Sequence, residues 1–184
     1  MEKKRTLTTE IGNLRAREAE VKKLAEKLFL EITSLPKEVR GDDKEKTGIA
    51  VFIASRYSDN YLRFAIGTPS DRASAQVKAE MLEFPDIFTT RARDNPEQAI
   101  YAGGISTEGW YDDKKNETNP NRLWLNVGVS GLKPEENEVI AIILAATILE
   151  VNPREMVDWM IYGPISEKIT QVGHYLHEII EKYS

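Results

Sequence analysis

The stretch that decides the fold is Val127-Gly128-Val129-Ser130-Gly131-Leu132-Lys133-Pro134-Glu135-Glu136-Asn137, which runs into an apolar segment ending at Leu149. It predicts the end of a strand, a tight Ser-Gly turn and a helix begun by proline, whose missing N–H costs nothing at the first helical position. The glutamates after the proline suit the positive end of a helix. Because a helix N-terminus leaves backbone N–H groups free, we expect Ser130 and Gly131 to border a binding site.

The same stretch argues against two other kinds of site. A nucleophile elbow requires G-x-S-x-G, and Leu132 stands where the last glycine is needed. Glu135 and Glu136 would compete with a bound anion for the helix dipole, so an anion site needs Lys133 or an arginine from elsewhere. A purely structural helix start therefore stays open beside a ligand site.

Composition narrows the class of protein. Apolar residues make up 41% of the 184 residues and charged residues 30%, which is typical of a soluble globular domain. A net charge of −5 argues against nucleic acid as a partner, and the absence of cysteine excludes disulfides, thiolate nucleophiles and cysteine zinc sites. No apolar leader follows Met1, and the run Val139–Leu149 is shorter than the about 20 residues that span a bilayer. We therefore expect a cytoplasmic protein without a membrane partner.

Hydrophobic periodicity predicts the other elements. In chain order they are a helix capped by Thr8 or Thr9 and ending near Thr33, an exposed charged loop over 36–46, a hairpin of strands 49–54 and 61–66, a helix over 69–84, strands over 100–105 and 122–129, a helix over 134–150, and one or two helices up to Tyr183. Four or five antiparallel strands with helices on the faces predict an α/β layered domain of the profilin-like kind over residues 1–150. Residues 151–184 form a helical C-terminal extension used for packing or oligomerisation.

The helix over 134–150 is apolar around nearly its whole circumference. Such a helix is buried on more than one side, because each apolar face must be removed from water. In a chain of this size, a second subunit is one candidate for the second covering surface.

Metal and anion sites have weak support. The two histidines, His174 and His177, lie three residues apart, and exposed or interface histidines are favoured over metal ligands. Glu80 and Glu83 have the same spacing, with a solvated helix face favoured over a cation site. Arg91 and Arg93, which point the same way in an extended segment, can hold a carboxylate or phosphate, with surface solubility as the alternative. We assign no metal ligand.

Three motifs follow one another along the chain: Lys78-Ala79, then Gly103-Gly104, then the turn Gly128–Gly131 with the helix after it. In this order and spacing they resemble the GlcG/HbpS-like family, the haem-degrading or haem-binding domain that also includes the C-terminal domain of PduO proteins. The resemblance covers roughly residues 10–150, and Asn137 stands where the family usually has aspartate.

The resemblance implies a small α/β protein that forms homo-oligomers and binds a small molecule at or near a subunit interface. Some members of the family bind haem or related tetrapyrroles, so haem is a candidate cofactor and the cofactor itself stays unassigned. With Arg91 added, the candidate ligand-binding residues are Lys78, Arg91, Gly103, Gly104, Ser130 and Gly131. The matching region has no histidine, so a protein ligand to haem iron must be Met81, a tyrosine or a histidine of the extension.

Two other functions stay open. The first is an oligomeric scaffold without a cofactor, assembled through the helix over 134–150 and the extension. The second is an enzyme acting on a small organic acid or lactone, in which Arg63, Arg91 or Lys78 clamps the anion and Glu135 or Glu136 acts as the base. The enzyme requires a carboxylate with a raised pKa in a pocket, so its catalytic residues stay unassigned.

Overall fold

The computed structural model describes residues 14–41, 46–55, 61–69, 104–106, 125–159 and 167–184. The helices are α1 (Glu18–Thr33, preceded by a 3-10 turn at Arg15–Arg17), α2 (Lys37–Arg40), α3 (Pro134–Leu149), α4 (Pro153–Trp159), α5 (Glu167–Thr170) and α6 (Tyr175–Tyr183). The strands are β1 (Gly48–Ser55), β2 (Tyr61–Gly67), β3 (Gly104–Ser106) and β4 (Leu125–Ser130). The chain is therefore a mixed helix and strand protein.

An antiparallel sheet is built around β1, which pairs with β2 on one side and with β4 on the other. The three-residue strand β3 pairs with β4, which gives the order β2-β1-β4-β3. The predicted hairpin is confirmed, with Val51 opposite Phe64. The turn of this hairpin, the predicted helix beyond Pro69 and the caps Thr8 and Thr9 lie outside the described residues.

Alternation along β1 gives the sheet two different faces. On one face Ile49, Val51 and Ile53 share a hydrophobic core with α1 and α3. The cross-strand partners of these residues are large and apolar as well, namely Leu62, Phe64, Ile66, Val127 and Val129. We call this the helix-covered face.

Helix α3 lies at the centre of the structure. It packs on β4, on α1 and on the C-terminal helices α4 and α6. Met156, Leu176 and Ile180 of those C-terminal helices belong to the same core. The predicted burial on more than one side is confirmed, and the chain's own C-terminal residues provide the second cover. The apolar circumference of α3 therefore gives no support to a second subunit. None of the helices in the described ranges combines the length and the apolar character needed to cross a bilayer.

The predicted exposed loop over 36–46 is confirmed in its exposure at 36–39, is wrong for the conformation of Lys37–Arg40 and for the burial of Arg40, and lies outside the described residues at 42–45. Residues Lys37–Arg40 form a helical turn, which ends at Gly41 in the left-handed region (φ 61°). Arg40 is buried, with 6% of its surface exposed. The sequence prediction failed here because the partner that holds Arg40 inside the protein, Glu136, is 96 residues away along the chain.

Candidate functional site

The second face of the sheet carries a row of residues that the register brings together from four strands. Arg63 lies opposite Phe52, Phe52 opposite Gly128, and Gly128 opposite Gly104. Two of these four positions have no side chain. The row therefore has an arginine and an aromatic ring at one end and two glycines at the other, of which Gly128 is buried.

A second row lies beside the first on the same face. It consists of Ala65, Ala50 and Ser130, because Ala50 pairs with both of the others. Ala50 and Ser130 are buried, although Ala50 and Phe52 do not belong to the core shared with α1 and α3. We call the two rows together the small-residue face.

The β2 end of the small-residue face, which we call its border, carries aromatic and charged side chains. The rings of Phe52 and Tyr61 stack with their centroids 5.7 Å apart. Phe52 is buried, whereas Tyr61 is 51% exposed and Arg63 is also exposed. This border combines an accessible phenol with an accessible guanidinium.

The turn after β4 brings two strands into close contact. Gly131 has a φ of 122°, which L side chains rarely adopt, and a β-carbon there would press on the Gly48 carbonyl. The turn thus places Ser130 on the small-residue face and directs the chain into α3. Of the predicted ligand-binding residues, Gly104 and Ser130 lie on this one face, and Gly131 lies against β1.

The expectation of free N–H groups at the start of α3 is wrong for two residues. The Leu132 N–H donates to Asn137 Oδ1 at 3.1 Å, and the Asn137 side-chain amide donates back to the Leu132 carbonyl at 3.1 Å. The Lys133 N–H donates to Glu136 Oε2 at 3.2 Å. The chain's own carboxylate therefore takes the place that a bound anion would need. We call Leu132–Asn137 the α3 start.

Glu136 is the centre of a buried polar cluster. Arg40 donates to both of its carboxylate oxygens, from Nε at 2.9 Å and from Nη2 at 2.8 Å. The hydroxyl of Tyr175 donates to Oε1 at 3.0 Å. Glu136 has no exposed surface, and Lys133 Nζ donates to the Arg40 carbonyl. Together with the Lys133 N–H, these groups place four donors on one carboxylate. Glu136 therefore joins α2, α3 and α6 and is not placed to act as a catalytic base.

The pKa shifts at the edge of this cluster also argue against a glutamate of the α3 start as a catalytic base. Burial would raise the pKa of Glu135, but the hydrogen bond from Lys168 (2.5 Å), a backbone hydrogen bond and the nearby positive charges hold it below its usual value. Burial and then the Glu136 carboxylate raise the pKa of the Tyr175 hydroxyl above its usual value. Tyr175 therefore stays protonated and serves as a donor.

Both histidines make contacts within the C-terminal helices. His177 is buried, with Nδ1 3.2 Å from the Ile169 carbonyl and 3.3 Å from Arg154 Nη1, so the prediction of exposed or interface histidines is wrong for this residue. His174 Nδ1 accepts the Leu176 N–H at 3.2 Å. Within the part of the chain that the structure describes, no three metal-ligating side chains cluster.

Several predicted site residues lie outside the described residues. They are Lys78, Arg91, Arg93 and Gly103, together with Met81 and the pair Glu80 and Glu83. Sequence reasoning missed Arg40 as a member of a polar cluster. The one signal that could have drawn attention to it is a glutamate opening an otherwise apolar helix, since such a carboxylate needs a partner once it is buried.

Comparison of the chain with protein-family models, with curated proteins and with solved structures gave no match.

Proposed function

We propose that this chain is a small-ligand-binding protein of the GlcG/HbpS-like type, and that its ligand lies on the small-residue face. The observation that carries the proposal is the register of the sheet, which aligns Gly104 with Gly128 and sets Ser130 in the next row. Gly104 and Ser130 were both candidates from the sequence motifs, and their strands are adjacent. In this proposal the described elements form most of a profilin-like layered domain with four or five strands.

The chemistry of this face favours a flat ligand that carries a negative charge. Gly104 and Gly128 place no side chain in the way of a planar ring, and Gly128 and Ser130 are buried. Such a ligand would therefore enter from the exposed edge at Tyr61 and Arg63, where the Phe52–Tyr61 pair supplies aromatic surface. Arg63 supplies a guanidinium that can pair with a carboxylate. Haem and related tetrapyrroles have this combination of a planar ring and carboxylates.

The residues present also fit the requirement of haem for a protein ligand to iron. Tyrosine is one of the residue types that bind haem iron, and Tyr61 is an exposed tyrosine on this face. His174 and His177 are held in the C-terminal helices, which pack on α3 on the other side of the sheet. Among the described residues, Tyr61 is therefore the strongest candidate for this role. When bound, haem would either be carried by the protein or supply its own redox chemistry.

A titration of the protein with haemin tests this proposal. We expect a saturable shift of the Soret band at micromolar protein, and a dissociation constant about two- to fivefold higher for Arg63→Gln, since exposed ion pairs contribute that much. The matched control is Arg15→Gln, which changes an exposed arginine on a distant element. Tyr61→Phe should move the Soret maximum of the complex and leave binding of iron-free protoporphyrin IX unchanged. Absence of saturable binding by either tetrapyrrole would overturn this ligand class.

The proposal includes a cytoplasmic homo-oligomer with the site near a subunit interface, which rests on the family resemblance. Light scattering on the purified protein measures the assembly directly, and a strict monomer at micromolar concentration would contradict it. The enzyme alternative has less support, since Glu136 accepts hydrogen bonds from Arg40 and Tyr175 and the pKa of Glu135 is lowered by its hydrogen bond from Lys168.

A further inference from the structure

His174 is the N-cap residue of α6, and it caps the helix through a hydrogen bond that depends on the protonation state of its imidazole. It has extended backbone angles (φ −80°, ψ 138°), and its Nδ1 accepts the Leu176 N–H at 3.2 Å. This is the position at which a side-chain acceptor satisfies one of the unpaired donors of a helix start. Only the form of imidazole with an unprotonated Nδ1 can accept this bond.

Charged groups surround His174 on two sides. Lys168 comes from α5, and Lys133 and Glu135 come from the α3 start. The next residue, Tyr175, has its ring centroid 4.6 Å from the imidazole and donates its hydroxyl to Glu136. Tyr175 itself stays protonated. An imidazolium at His174 would therefore face two lysines and one glutamate, next to the positive end of α6.

The turn that His174 caps is the one that attaches α6 to the rest of the protein at this end. Tyr175 bonds Glu136 at 3.0 Å, and Leu176 is fully buried in the core. Loss of the cap would free the Leu176 N–H and weaken the geometry that presents Tyr175 to Glu136. The Arg40–Glu136 pair would then lose one of its supporting donors.

We propose that His174 is a pH-sensitive latch, and that acidification below neutral pH releases the first turn of α6 from the α3 start. Protonation removes the acceptor from the cap, adds a positive charge beside Lys168 and Lys133, and loosens the Tyr175–Glu136 bond. The rest of α6 stays packed through Ile179 and Ile180.

The direction of the effect follows from the folded environment. Burial, followed by the charge of Lys168, lowers the pKa of His174 from its usual value of 6.5, whereas Glu135 acts in the opposite sense. The folded protein therefore binds fewer protons at this site than the unfolded chain does. The contribution of the cap to stability is complete above about pH 6.5 and is lost as the pH falls through the lower folded pKa.

Two variants of the full chain isolate this effect. His174→Asn keeps a side-chain acceptor at the cap and cannot titrate, whereas His174→Ala has no acceptor at any pH. The readout is the protection factor of the Leu176 amide in hydrogen exchange, corrected for the intrinsic pH dependence, at pH 7.5 and at about one unit below the pKa of His174 that NMR gives for the folded protein. His177 is present in all three proteins, so any contribution from it cancels in the comparison.

We expect the wild type to match His174→Asn at pH 7.5 and to fall towards the level of His174→Ala at the lower pH. The fall should be roughly fivefold, the effect of losing one helix cap. The ring signals of the two histidines can be followed by NMR, and His174 should titrate below 6.5. A wild type that matches the asparagine variant at both pH values, or the alanine variant at both, would overturn the latch.

Discussion

The α3 start and the small-residue face adjoin each other in the chain, yet the polar groups of the first are bonded within the protein and the polar side chains at the edge of the second are exposed. At the α3 start, the Leu132 and Lys133 N–H groups and the Glu136 carboxylate are bonded within the chain. On the small-residue face, Gly104 and Gly128 have no side chains, and Arg63 and Tyr61 are exposed. The first region is chemically complete, whereas the second has exposed side chains at its β2 edge, where another molecule can bind.

This difference shows that a sequence motif can carry two roles in adjacent residues. Ser130 ends a strand on the face proposed to bind a ligand, and six residues later Glu136 anchors the fold. A buried carboxylate with a bidentate arginine depends strongly on its partner, because an uncompensated buried charge is costly. Stability should therefore respond to changes at the α3 start and barely to changes at the border of the small-residue face.

The largest expected effect comes from Arg40→Gln. Removal of the guanidinium leaves Glu136 buried without its bidentate partner, and such a change costs about 3–5 kcal/mol of unfolding free energy. Urea denaturation followed by circular dichroism measures the loss. A loss below about 1 kcal/mol would show that water reaches Glu136, and the contrast between the two regions would then fail.

An intermediate effect is expected for Asn137→Asp, which exchanges the side-chain amide for a carboxylate. The carboxylate can still accept the Leu132 N–H but loses the amide that donates to the Leu132 carbonyl, at a cost of about 1–3 kcal/mol. A negative charge near a helix N-terminus returns only about 0.3–1 kcal/mol. The difference in unfolding free energy between the variant and the wild type, measured by urea denaturation, should narrow as the pH falls towards 4, because protonation of the introduced carboxylate restores a donor. A deficit that does not change with pH would contradict this account of Asn137.

The smallest effect on stability is expected for Arg63→Gln, the same substitution made on the small-residue face. Arg63 is exposed, so the unfolding free energy should change by no more than about 0.5 kcal/mol. The same urea denaturation checks it against Arg40→Gln. Should the two arginine variants lose similar stability, the border of the small-residue face would be part of the structural framework instead of an available surface.

Much of the described architecture could be predicted from local pattern. The hairpin, the end of α1 near Thr33, and a proline-started helix at Pro134 are confirmed, because alternation, three-and-four spacing and proline chemistry act within a few residues. The Ser-Gly turn was also predicted, and the close approach of Gly131 to Gly48 explains why it needs glycine. Lys78, Arg91 and Gly103 stay predictions.

Contacts between distant residues could not be predicted from these patterns. Arg40 stands in a charged stretch that has the composition of a surface loop, and the carboxylate that buries it is 96 residues away. The elements that cover α3 could not be predicted for the same reason. An apolar circumference indicates that a helix is buried, but it does not indicate which elements bury it.

By itself, the sequence determined which segments are helix and strand across the described hairpin and α3, and where the turn before α3 falls, because those choices depend on neighbours along the chain. Only the tertiary structure decided that the α3 start is already occupied by Glu136 and Asn137 and that Gly104, Gly128 and Ser130 share one face. Strand register and buried ion pairs join residues that are far apart in sequence, and their energies depend on burial and geometry that local pattern does not contain.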